Sequence, residues 1–192
     1  MKKTLAMLCV IALIAITTVP ALANPSIVND APKIEEVVTI GGEANLTLTT
    51  EEADPSTYTK AVADVVTVVN NPDSEVSLTP ADVANSNGLT IKKVPEGFDT
   101  GSLASCSFVT TFSALEVQNG TQETYAGKEV NVEVTLDANA MAGVTEDTVS
   151  NYFVMQIDPT NGDIYIIPIK IVDGAFVVTL AIVGPYAIIQ KL

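Results

Sequence analysis

The sequence has no histidine, no arginine and no tryptophan, and only two cysteines. Each absence removes some chemistry. Without histidine the chain lacks the usual general base near neutral pH and the commonest zinc ligand. Without arginine it lacks the planar fork that grips phosphate, and 23 carboxylates against nine lysines give a formal net charge of −14. No nucleic-acid partner is therefore expected, and anionic lipid surfaces repel the chain. Cys9 lies in an apolar N-terminal run, which leaves Cys106 alone beyond it. Thiolate metal clusters, redox pairs and an intrachain disulfide are thereby excluded. Cys106 sits among apolar and small residues in LASCSFVTTF and reads as a buried, inert thiol. No glycine-rich phosphate loop, no Ser-x-x-Lys and no Gly-x-Ser-x-Gly occurs. No cofactor is expected.

The N-terminus carries positive information. Lys2 and Lys3 precede an apolar run, Leu5 to Ile16, and then the small-residue pattern Ala21-Leu22-Ala23. This is the layout of a secretory signal peptide over residues 1–23, too short to cross ~30 Å of hydrocarbon. The expected product is secreted or extracellular, starts near Asn24, and carries a charge of −16 once Lys2 and Lys3 leave. That acidity suits solubility outside the cell. No LPxTG-type sorting signal occurs, so free secretion or non-covalent attachment to a cell surface is expected.

Beyond the leader, 34–40 and 44–50 read as short strands around Gly41 and Gly42. The period then changes. Tyr58, Ala61, Val62, Val65, Val66 and Val69 fall at helical spacing, with Asp54 as cap, Pro55 at the first helical position and Asn70, Asn71 and Pro72 as the stop. Residues 79–88 repeat the device: Thr79 cap, Pro80 first, Asn87-Gly88 last. From residue 89 strands dominate. In EVNVEVTLD, Val130, Val132, Val134 and Leu136 alternate with Asn131, Glu133 and Thr135, the mark of a half-buried strand.

The tail, IYIIPIKIVDGAFVVTLAIVGPYAIIQKL, is very apolar. Lys170, Asp173-Gly174 and Gly184-Pro185 divide it into runs 163–172, 175–183 and 186–191, none near the ~20 residues of a spanning helix. Asp-Gly between β-branched runs predicts a two-residue hairpin flanked by Val172 and Ala175. The tail is expected to be core, as strands covered on both sides. The expected fold is mainly β: an antiparallel, immunoglobulin-like β-sandwich of about seven strands in the C-terminal half, preceded by a small helical element. The expected organisation is a leader (1–23), an N-terminal segment with a possible hairpin (24–53), a helical element and linker (54–100), and the sandwich (101–192).

The succession of a valine-rich helix, a Thr-Pro-capped short helix, GFDTGSL…FVTTF, GKEVNVEVTL, YFVMQIDPTNGDIYIIPIKIVDGAFVVTL and a final GPYAII resembles small secreted or cell-surface proteins of Gram-positive gut bacteria. It covers residues 55 to 192. The terminal sandwich of such proteins often ends in a similar Gly/Ser-Pro-aromatic-Ala strand. They often carry a Trp after the glycine of the turn near 162, where this chain has Asp163. The resemblance implies location and fold and brings no catalytic residues.

Carboxylates are the remaining source of chemistry. Glycoside hydrolysis needs two of them about 5 to 9 Å apart. The candidates are Glu35-Glu36, Glu51-Glu52, Asp54 and Glu146-Asp147. Adjacent acids on a strand face opposite ways, and Asp54 has a role as a helix cap. In DPTNGD the oxygen donors Asp158, Asn161 and Asp163 are a candidate calcium set, although Pro with Asn-Gly also makes a plain turn. No catalytic residue is assigned. The leading expectation is a non-catalytic secreted or surface protein that binds an extracellular protein or glycan, or serves as a structural module. The alternatives are a small glycan-active enzyme with a carboxylate pair and a calcium-dependent carbohydrate-binding module.

Overall fold

The computed structural model describes residues 35–40, 43–71, 78–118 and 125–192. The leader, Gly41, Gly42 and Pro72 lie outside the described residues. The described elements are β1 (Glu35–Ile40), β2 (Glu43–Glu52), α1 (Lys60–Asn70), α2 (Pro80–Ser86), β3 (Thr90–Lys93), β4 (Cys106–Phe108), β5 (Ser113–Val117), β6 (Glu129–Thr135), β7 (Tyr152–Ile157), β8 (Asp163–Pro168), β9 (Lys170–Val172), β10 (Ala175–Ile182) and β11 (Gly184–Lys191). The protein is mainly β.

Two sheets hold these strands. The larger runs β1-β2-β5-β11-β7-β8-β3, with β4 also paired to β11; the smaller runs β6-β10-β9. Neighbours pair antiparallel except β3, which lies parallel to β8. Strands from all three segments expected after the leader share the larger sheet, because β2 joins β5 and β3 joins β8.

The helices cover one face of the larger sheet. Val62, Val65, Val66 and Val69 of α1 are buried there, together with Val83 and Ala84 of α2. Burial of that stripe offsets the poor helix propensity of its valines. Helix α1 starts at Lys60, later than Asp54-Pro55 suggests. Asp54 instead caps a 3-10 turn, Pro55–Thr57, its Oδ1 accepting from Ser56 N at 2.9 Å, and extended Tyr58 separates that turn from the helix. Helix α2 follows expectation, with a Thr79–Asp82 capping box and Gly88 at φ +67° beyond its end.

The smaller sheet covers the opposite face. On β7, Phe153, Met155 and Ile157 face the helices, while Val154 faces the smaller sheet. On β11 the same alternation sends Ala187 and Ile189 one way and Tyr186 and Ile188 the other. Burial on both faces explains why these strands read as continuous apolar runs. Among the described residues no helix is long and apolar enough to cross a membrane.

Two details of the tail differ from the sequence reading. Run 163–172 is two strands: β8 ends at Pro168, which has no N–H to donate, and after buried Ile169 the chain re-enters as β9 of the smaller sheet. Runs 175–183 and 186–191 are separate strands, β10 and β11, as expected, but Gly184-Pro185 opens β11 instead of lying between them; the chain changes sheets at fully buried Val183. The Asp173-Gly174 turn is as expected, with φ of 51° and 81° and Val172 opposite Ala175.

One polar side chain ties the sheets together. Gln156 on β7 is fully buried. Its Nε2 donates to Ile182 O at 2.5 Å, and its Oε1 accepts from Ala181 N at 3.0 Å and Ile182 N at 3.4 Å. The β10–β6 register slips between Leu180 and Ile182, so the amide supplies partners where the ladder is interrupted.

Gln156→Leu keeps a similar volume but removes a side-chain partner from Ile182 O, Ala181 N and Ile182 N, at or near the buried junction of the sheets. It is expected to cost about 3 kcal/mol and lower Tm by roughly 6–12 °C, measured by thermal melting with urea titration. Gly184→Ala is expected to cost about 1–3 kcal/mol by overpacking, because a Cβ there lies 2.8 Å from both Ile157 O and Pro159 Cδ.

Candidate functional site

A cleft of about 670 Å³ opens between the outward face of the smaller sheet and the β8–β3 end of the larger one. Strand period makes its walls. In β6, Val132 and Val134 are buried in the core, so Asn131 and Glu133 face out into the cleft, with Glu129 on the same side. In β10, Val178 and Leu180 take the core and leave Thr179 to the cleft. On the other wall, parallel pairing sets Lys93 beside Tyr165.

Consecutive strand residues normally point to opposite faces. Here the β3–β8 register slips between Ile91 and Lys93, and both Lys92 and Lys93 line the cleft. Lys170, the first residue of β9, completes the set. Three of the seven lysines beyond the expected leader thus meet in one cleft of a strongly acidic chain. Lys92 Nζ lies 3.3 Å from Asp163 Oδ2. Among the described residues, neither Lys93 nor Lys170 has a carboxylate within ion-pair distance. Burial pushes the Tyr165 phenol above its ordinary range; Asp158, Asp163 and Glu129 push the same way and Lys92 opposes them. Tyr165 therefore remains a neutral hydroxyl, able to donate or accept.

The calcium candidates lie in the turn between β7 and β8, and their oxygens serve that turn. Asp158 is buried and its Oδ1 accepts from Thr160 N at 2.9 Å and Thr160 Oγ1 at 2.6 Å. Asn161 Oδ1 accepts from Asp163 N at 2.8 Å, and Asp163 reaches Lys92. Asp158 also packs against Gly127: a Cβ at that glycine falls 2.4 Å from Asp158 Oδ1. The turn closes with Gly162 N donating to Asp158 O and Asp158 N donating to Asp163 O. Among the described residues no three His, Cys, Asp or Glu side chains are grouped to hold a metal ion.

None of the paired acids lines the cleft. Glu35 and Glu36 stand in register with Thr49 and Leu48 on the outermost strand of the larger sheet. Glu51 and Glu52 are exposed at the end of β2, and Glu146 and Asp147 are exposed in a turn. Around Glu116 of β5 a half-buried acidic patch forms with Glu51 and Asp54. Burial raises the Glu116 carboxyl and the two neighbours raise it further. Burial and the same Glu116 also raise the Tyr58 phenol. Cys106 is buried, its Sγ 3.3 Å from Ser102 O, and burial raises its thiol against a small opposing effect of Lys191. That is an unreactive thiol, as the sequence suggests.

The cleft lysines and Tyr165 escape sequence reasoning. The only local signal is the Lys92-Lys93 pair; bringing it to Lys170 requires the non-local β3–β8 pairing and the change of sheet after Pro168.

Because the folded Glu116 carboxyl is raised above its unfolded value, its contribution is full below the unfolded range and is lost as pH rises through the folded one. Glu116→Gln is therefore expected to raise Tm at pH 7 by about 1–2 °C, a small effect because the group is half exposed. The difference from the parent protein closes below about pH 4. Calorimetry across pH measures both. In comparisons with protein-family models, curated proteins and solved structures, nothing matched this chain.

Proposed function

We propose that this chain is a secreted or cell-surface, non-catalytic binding module, a β-sandwich used in the immunoglobulin-like manner, with two packed sheets presenting a recognition surface. The observation that carries the reading is the cleft, where Lys93 and Lys170 sit without carboxylate partners among the described residues in a chain of net charge −14. Lys128 and Lys191 likewise have no ion-pair partner among the described residues, but neither lines the cleft; the cleft is set apart by bringing Lys93 and Lys170 into one concavity. A volume of about 670 Å³ suits a small ligand or a short stretch of polymer. Export rests on the Lys2-Lys3, Leu5 to Ile16 and Ala21-Leu22-Ala23 pattern.

The cleft carboxylates support binding over hydrolysis. Glu129 and Glu133 lie on one strand, four residues apart, with backbones separated by roughly 13 Å at ~3.3 Å per residue. Glycosidase pairs flank a bond at about 5 to 9.5 Å. Both acids also belong to one wall, so neither faces the other across the cleft.

Purified protein incubated with a panel of immobilised extracellular glycans and proteins is expected to be retained on at least one of them and to release no product from any. Retention should fall at least tenfold in Lys93→Glu/Lys170→Glu, whose two positions are exposed. Released reducing ends or peptides would contradict the reading, and so would retention that the double variant leaves unchanged.

A further inference from the structure

We propose that the cleft binds a carboxylated saccharide, a sugar chain carrying one carboxylate among several hydroxyls per unit; this rests on the binding-module reading and names its ligand class. The argument is charge density. Lys92, Lys93 and Lys170 bring three positive charges to the cleft and Glu129 and Glu133 bring two negative ones. Asp163 cancels Lys92, so the site is near neutral within a chain of net charge −14; two lysines free of ion pairs can meet one carboxylate, while the two glutamates repel a densely charged polyanion such as a sulfated or phosphorylated polymer. Lys92 is already engaged by Asp163, which leaves Lys93 and Lys170, from opposite walls, to meet the carboxylate.

The rest of the lining suits hydroxyls. Ionised Glu129 and Glu133 accept from O–H donors, and Asn131 and Thr179 can each donate and accept. Tyr165 adds a half-exposed ring with a hydroxyl that stays protonated, an amphipathic surface for the face of a pyranose. The lysines are single-point donors on flexible stems, which suits a carboxylate in a solvated sugar and lacks the forked geometry that phosphate and sulfate recognition exploits. An acidic extended peptide fits less well: of the cleft's edge strands, β3 and β9 have only four and three residues, and the seven-residue β6 carries Glu129 and Glu133, which repel it.

The test is calorimetric titration of the full exported chain at low salt with tri-galacturonate, its neutral methyl ester, and hexaglutamate peptide. Tri-galacturonate is expected to bind and the ester at least tenfold more weakly. Affinity should fall with added salt. Lys93→Gln and Lys170→Gln should each weaken tri-galacturonate about tenfold, while Lys60→Gln, on the exposed surface of α1 and paired with Asp64, should change nothing. Melting curves of the three variants confirm that each is folded. Equal binding of acid and ester, preference for hexaglutamate, or indifference to both cleft lysines overturns the saccharide assignment. In the first two cases, binding that still needs Lys93 and Lys170 leaves the binding-module reading standing. Failure of all three probes together with failure of the broader panel removes both.

Discussion

A single buried amide sets the geometry on which the rest of this structure depends. Gln156 lies in the most apolar part of the chain, on a strand whose neighbours face two hydrophobic cores. A polar group in that position costs several kcal/mol unless its hydrogen bonds are made. It makes them with Ala181 and Ile182, at the point where β10 loses register with β6. The bond is directional where hydrophobic packing is not. Apolar contacts alone leave the placement loosely defined; the amide, together with the single-residue chain crossings at Ile169 and Val183, holds the smaller sheet at one place. The outward face of β10 and β6 then stands over the β8–β3 end, and the cleft exists because of that placement.

The same logic accounts for the tail. Strands β7, β8 and β11 carry a core on each face, helices on one side and the smaller sheet on the other. Such strands take apolar residues at most positions, so the composition approaches that of a membrane segment. Charge and turn residues mark the difference. Lys170 opens an edge strand at the cleft, and Asp173-Gly174 makes the hairpin that brings β10 back along β9. Changes of sheet occur at Ile169 and Val183, both buried, each in the single residue between a strand of one sheet and a strand of the other.

Much of the fold was legible in local patterns because local physics decides those parts. The α1 stripe, the capping box of α2, the alternation in β6 and the Asp-Gly hairpin all follow from a few adjacent residues. The start of α1 was not legible, because Asp54 and Pro55 serve a separate 3-10 turn with the same cap chemistry. Run 163–172 looked like one strand because residue type alone does not show that the residues after Pro168 pair in another sheet. The parallel placement of β3 beside β8 was invisible for the same reason: a four-residue strand has no periodicity that reports a partner some seventy positions away. The candidate site suffered most. Its lysines come from separate strands, and only the register slip in β3 turns two of them to one side. The DPTNGD oxygens drew notice as a possible ion site because donor types are visible in a sequence, whereas their engagement by Thr160, by the Asp163 amide and by Lys92 is not.

Amide hydrogen exchange at Ala181 and Ile182 is the most direct test of the claim that the Gln156 amide fixes the two sheets together. If it does, both amides exchange only with global unfolding, at the same slow free energy as the amides of Val154 and Ile188 in the centre of the larger sheet. Exchange of Ala181 and Ile182 through local opening, orders of magnitude faster while Val154 and Ile188 stay protected, would show that the smaller sheet is held by something else.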